Sequence, residues 1–189
     1  MLAERFRGVR EALGRGEAWY ERFDLSPTGF RASFLVAFAT LPAMGVIAKA
    51  VERERAIVVG TEARDVQWWP FFLVMGAFLL AFPFVATLTQ LLTNRMGRLP
   101  GWVVVRHWTL FFLVWGCAGL FALYLFGPLP YALPNFVLFV AMFALLAADI
   151  RLAQKVGGLG LGAAVLIGST ITSMGFSLVL VGLLLYIGS

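Results

Sequence analysis

The sequence predicts an all-α integral membrane protein: a five-helix transmembrane bundle with an N-terminal amphipathic surface helix. Three observations predict it. First, residues 107–148 hold no Asp, Glu, Lys or Arg, a run about twice the ~20 apolar residues that one helical crossing needs. Gly127, Pro128, Pro130 and Pro134 interrupt it near its middle and break a helix there, so the run reads as a hairpin of two spans. Second, the chain is 61% hydrophobic and 13% charged, with a mean hydropathy of +0.89. That is more apolar surface than a soluble domain of this length can hide. Third, the charges collect in short segments between apolar ones, and the basic ones favour one side.

Residues 1–28 form a cytoplasmic amphipathic segment and residues 29–189 a five-span domain. In the first segment Leu2, Phe6, Val9, Leu13, Tyr20 and Phe23 follow helical spacing, with five arginines alternating with glutamates. This is the pattern of a helix lying on a membrane surface. Gly14 and Gly16 weaken it and invite a split. The hydrophilic start contains no cleavable signal peptide. Ser26 is a good N-cap and Pro27 suits a first helical position, so a first span is expected over about 29–50. Arg31 and Lys49 snorkel at its ends, and Pro42 kinks it. Residues 51–67 read as a polar linker whose Ala56 to Val59 stretch packs on the surface or forms a short strand. Trp68 and Trp69 open a second span over about 68–92, as aromatic belts do, with Pro83 inside it. A basic loop with Arg95, Arg98 and Arg106 leads to the hairpin spans at about 103–127 and 132–153. A glycine-rich turn then opens the fifth, at about 159–187.

Five spans place the termini on opposite sides. With the N-terminus cytoplasmic, eleven Lys/Arg lie inside and four outside, a positive-inside bias that an anionic cytoplasmic leaflet favours. The expected location is therefore a bacterial inner membrane, with the C-terminus outside.

Polar residues gather where the spans meet the cytoplasmic boundary. The candidate cluster is Arg31, Gln90, Arg106, His107, Asp149 and Arg151. Asp149 is the only acidic residue inside a predicted span, and an intramembrane ionisable residue carries a functional hypothesis. Its partners by position are Arg106, Arg31 or His107. The alternative is a tie between helices at headgroup depth, which the nearness of Arg151 and Lys155 favours. His107 is suited either to a polar interfacial role or to contact with a haem or pigment of a partner. Ser169, Ser173 and Ser177 recur every fourth residue; such stripes let helices pack closely in lipid, and lining a polar path is the other use of them. Cys117 sits among apolar residues and reads as inert.

These observations exclude several classes. One cysteine and one histidine allow no internal disulfide, no paired-thiol chemistry and no intramolecular pair of haem ligands. No nucleophile elbow, P-loop or metalloprotease motif is present, so no catalytic residue, no metal and no cofactor is expected. Basic residues scattered along a membrane face do not suit nucleic acid. Membrane lipid, and a partner membrane protein or a second copy, are the expected partners. The function expected is a non-enzymatic scaffold or accessory subunit. The alternative is a small transporter or channel subunit with Asp149 and Gln90 at a cytoplasmic polar mouth and Pro42 and Pro83 in broken helices.

The stretch Leu25, Ser26, Pro27, Thr28, Gly29 and Phe30, leading through Phe34 into the Pro42-bearing span, resembles the start of the Yip-type membrane domain. The turn over residues 152–160 and the small-residue-rich last span are similar to that plan too, as is the arrangement of five spans after a polar N-terminus. The resemblance covers about residues 25–188. It implies a non-enzymatic membrane scaffold, linked in eukaryotes to Rab-type GTPases and membrane traffic, and it assigns no role to any single residue.

Overall fold

The computed structural model describes residues 2–63 and 66–187, without the side chains of residue 176 and residues 179–187. Arg64 and Asp65, which contribute to the expected linker and its charge balance, lie outside the described residues. Among those described, the chain is helical throughout, an all-α bundle of membrane type.

Helix α1 (Leu2–Leu13) stops where Gly14 and Gly16 were expected to split the amphipathic segment, and a 3-10 turn (Ala18–Arg22) follows. Helix α2 (Pro27–Phe38) begins with Ser26 as its N-cap, the Ser26 hydroxyl accepting from the Gly29 N–H at 3.2 Å. The chain breaks at Ala39 and Thr40 and resumes as α3 (Leu41–Val59). Pro42, in the first turn of α3, has no N–H to continue the ladder, so the helix restarts there instead of merely kinking. The Thr40 hydroxyl donates to the buried Ala37 carbonyl at 2.6 Å and the Trp115 indole N–H to the Ala39 carbonyl at 3.1 Å.

The reading of residues 51–67 as linker is corrected over its first half. The chain stays helical through Glu52, Arg53, Glu54, Arg55 and on to Val59, and Gly60 closes the helix at φ +70°. Loss of hydropathy marks where lipid ends, not where a helix ends, and Arg55 pairing with Glu52 one turn back at 2.6 Å supports the helix.

Helix α4 (Trp68–Leu92) matches the expected second span. Helix α5 (Leu99–Phe126) starts four residues before the third span was expected, because Pro100 in its first turn preorganises it. Helices α6 (Ala132–Lys155) and α7 (Leu161–Ile187) complete the bundle. Among the described residues, four segments are long and apolar enough to cross a bilayer: Pro27–Val59, Trp68–Leu92, Met96–Phe126 and Ala132–Lys155. The expected fifth, α7, is apolar along its described stretch Leu161–Gly175, and the rest of that expectation rests on residues whose side chains are mostly outside the described set.

Helix α5 is the axis of the molecule. It packs on α2, α3 and α6, and α7 lies between α4 and α6. Every residue from Gly101 to Leu110 is buried; a helix apolar nearly all round belongs at the centre of its bundle. Helices α6 and α7 approach closely at Gly168, where a Cβ would stand 2.9 Å from the Ile150 backbone nitrogen.

Candidate functional site

The buried stretch of α5 carries Trp102, Arg106 and His107 into the end of the bundle where α2, α5 and α7 begin and α4 and α6 finish. Spacing decides where each side chain goes. Arg106 faces α6, and its guanidinium donates to both carboxylate oxygens of Asp149, Nε at 3.0 Å and Nη2 at 3.3 Å. The two side chains are 2% and 0% exposed. The fork geometry gives each carboxylate oxygen a donor, the arrangement that makes a buried pair tolerable. The guanidinium also lies over the Phe82 ring, 4.8 Å from its centroid, which adds a cation–π attraction in a desolvated place.

One residue further on, His107 faces α2. The Ser33 hydroxyl donates to the Phe30 carbonyl at 2.7 Å and lies 3.0 Å from His107 Nδ1. A hydroxyl has one proton to give, so Nδ1 carries the imidazole hydrogen and Nε2 keeps its lone pair. Phe34 and Phe82 pack edge-on to the ring, at 5.0 Å and 6.4 Å between centroids. Gln90, at the end of α4, donates through Nε2 to the Gly157 carbonyl in the α6–α7 turn at 3.1 Å. Among the described residues, Gln90 Oε1, Trp102 Nε1, His107 Nε2 and Thr172 Oγ1 are buried without a hydrogen-bond partner.

The structure thus brings together three of the six candidates, Arg106 paired with Asp149 and His107 beside the same Phe82 ring, while Gln90 is buried at the same end of the bundle against Gly157. The other two lie elsewhere. Arg31 is exposed on α2. Arg151 is exposed on α6 and turns to α1, donating to the Leu13 and Gly14 carbonyls at 3.3 Å and 3.1 Å. Ser33 and Phe82 escaped the sequence reading, since one serine and one phenylalanine in apolar spans carry no signal of their own. His107 is buried within the bundle, with 1% of its surface exposed.

The serine stripe is also corrected. Ser169 is half-buried, and Ser173 and Ser177 face outward. The face of α7 that meets its neighbours carries Ala164, Gly168, Ile171 and Gly175 instead, with Gly168 against Ile150 and Gly175 against Phe78. Four-residue spacing identifies a face but not its direction.

Helix α1 packs on α5 and α6 beside the site. Gly8, Val9 and Ala12 of α1 are buried, Phe6 meets Phe112 edge-on at 5.2 Å, and the Arg5 guanidinium lies over Phe23 and Trp108. Arg5 also donates to the Arg22 carbonyl. Arg22 folds the 3-10 turn back by donating to Glu4 at 2.7 Å and to Glu11 at 2.9 Å. The Arg22 hydrogen bond holds the Glu11 carboxyl below its usual range, and Glu11 raises the Arg22 guanidinium in return. At the next helix start, hydrogen bonds from Ser26 lower the Asp24 carboxyl.

The chain matches no family model, no curated protein and no solved structure.

Proposed function

We propose that the protein is a non-enzymatic membrane scaffold or accessory subunit that holds a partner membrane protein against its helices and anionic lipid against its basic end. The observation that carries this reading is the outward face of α6. Phe136, Phe139 and Phe143 are 62%, 57% and 59% exposed, one row at helical spacing beside a shallow groove that also involves Asn135, Leu138 and Met142. Aromatic anchors are the residues on which interfaces concentrate binding energy. The ionisable pair inside the bundle is turned the other way, Arg106 onto Asp149, which suits a tie between helices. The exposed arginines Arg7, Arg10, Arg15, Arg31, Arg95, Arg98 and Arg151 lie on α1 and near the same ends of α2, α4, α5 and α6, so the basic end suits a cytoplasmic, anionic leaflet. This reading includes a bacterial inner-membrane location, a cytoplasmic N-terminus and kinship with the Yip-type domain.

Extraction into polymer-bounded discs without detergent tests it. A stoichiometric membrane partner, lost when Phe136 and Phe139 are changed to alanine, is the expected result. Recovery of a lone chain with no bound lipid overturns the proposal.

A second reading, a small transporter subunit, draws on the partnerless His107 Nε2 next to the Arg106–Asp149 pair and on the partnerless Gln90 Oε1 at the same end of the bundle. Its test is flux in liposomes: loss of flux with Asp149→Asn supports it, and unchanged flux removes Asp149 from the path.

A further inference from the structure

The end of α6 carries two cations committed to uncharged acceptors. Lys155 donates to the Glu11 carbonyl at 2.8 Å, to the Gly14 carbonyl at 3.0 Å and to the Gly16 carbonyl. Arg151, one turn earlier, donates to the Leu13 and Gly14 carbonyls. Together they cap the C-terminal end of α1, whose carbonyls have no partners within the helix. Among the described residues neither cation forms a salt bridge: Glu4 pairs with Arg7 and Arg22, and Glu11 with Arg22. A phosphate would satisfy both cations better than neutral carbonyls do, since bonds with both partners charged are shorter and stronger.

The helix they hold sits on small side chains. Its buried residues are Gly8, Val9 and Ala12, with Leu13 packed beside them and Phe6 edge-on to Phe112. Its larger apolar residues, Leu2 and Phe6, are 56% and 54% exposed in the docked position, beside exposed Arg7 and Arg10. Leu2 and Phe6 with flanking arginines are what an interfacial helix presents to a bilayer. A peripheral helix seated on small side chains and on exposed hydrogen bonds opens before the central helices do. Arg151 and Lys155 close the α6 span, at the depth where long cationic side chains meet headgroups.

We propose that Arg151 and Lys155 form a binding pair for the phosphate of an anionic phospholipid headgroup, and that headgroup and α1 compete for them. Helix α1 is then a strap: docked over Trp108 and Phe112 in neutral lipid, released onto the membrane surface in anionic lipid. The proposal rests on the anionic-lipid half of the proposed function.

The test uses the full chain with Cys117→Ala and spin labels at Ala3→Cys on α1 and Gly116→Cys on α5, one turn beyond the Phe112 that Phe6 meets. In phosphatidylcholine vesicles one short inter-label distance is expected. With a third of the lipid replaced by phosphatidylglycerol, a longer distance appears, its fraction rising by about fivefold or more, the ratio that one basic residue near an anionic surface supplies. Arg151→Gln with Lys155→Gln gives the long distance in both lipids and no response to phosphatidylglycerol. Arg151→Lys with Lys155→Arg keeps the original response, which separates charge from folding. An unchanged distance in phosphatidylglycerol, or a double glutamine variant that stays docked and responds like the parent, overturns the strap. Native mass spectrometry of the same samples separates the two proposals. Retained phosphatidylglycerol with an unmoved label overturns the strap alone; no retained phosphatidylglycerol overturns the lipid-binding reading with it.

Discussion

A guanidinium and a carboxylate buried between α5 and α6 are stable only as a pair. Removing one partner leaves an uncompensated charge, and replacing both with apolar groups of similar volume does not. Asp149→Ala should therefore lower stability by about 3–5 kcal/mol, read as a fall in the detergent melting temperature. Arg106→Met with Asp149→Leu should recover most of the loss, a coupling that a double-mutant cycle measures. If the single and double variants melt alike, the pair does not tie the two helices. Asp149 was legible in the sequence because it ends the long uncharged run, and Arg106 because it begins it; two opposite charges closing one hairpin are placed to meet. Ser33 and Phe82 were not legible. Their roles come from which face of α2 and α4 turns toward α5, and α4 is apolar almost all round, so its sequence points in no direction.

Elements differ in what fixes them. The start of α2 was readable, since Ser26 and Pro27 set it by local chemistry, but its end at Phe38 was not, because Pro42 was read as a kink in one continuous span. The continuation of α3 was hidden because a charged helix beyond the lipid and a charged linker share a composition. For α7 the test is direct. Gly168→Leu should disrupt the contact with Ile150 and destabilise the bundle by about 1–3 kcal/mol, whereas Ser173→Ala on the outward face should stay within about 0.5 kcal/mol. Unfolding of both variants in graded denaturing detergent checks the order, and the reverse order would restore the serine face as the packing face. Helix α1 predicts a pH dependence. The Glu11 carboxyl is lowered by its bond from Arg22, so its contribution to the folded-back turn is complete above the ordinary carboxylate range. That contribution fades as pH falls through the lowered value. Hydrogen-exchange protection over residues 2–22, taken relative to the intrinsic rate at each pH, should fall on acidification, and Arg22→Gln should flatten the profile.

For the whole molecule, the antiparallel order of the helices sends the α3–α4 and α5–α6 connections to one end and α1 to the other. With Cys117→Ala as background, cysteines at Thr61 and Pro128 should react with an impermeant maleimide from the same side of intact membranes, and Met96→Cys from the opposite side. Reaction of Thr61 and Pro128 from different sides would break the five-crossing map. Charge and hydropathy carried that map because they report where water ends, a property of the whole chain and its solvent; they say nothing of which helices touch. One such contact, at the break between α2 and α3, couples distant parts of the bundle. The Ala39 carbonyl accepts from an indole on a separate helix, a bond worth about 1 kcal/mol that favours motion of the joint together with the central helix. A swing of the first crossing that keeps this bond draws on α5, the helix that also carries the charge pair and the imidazole.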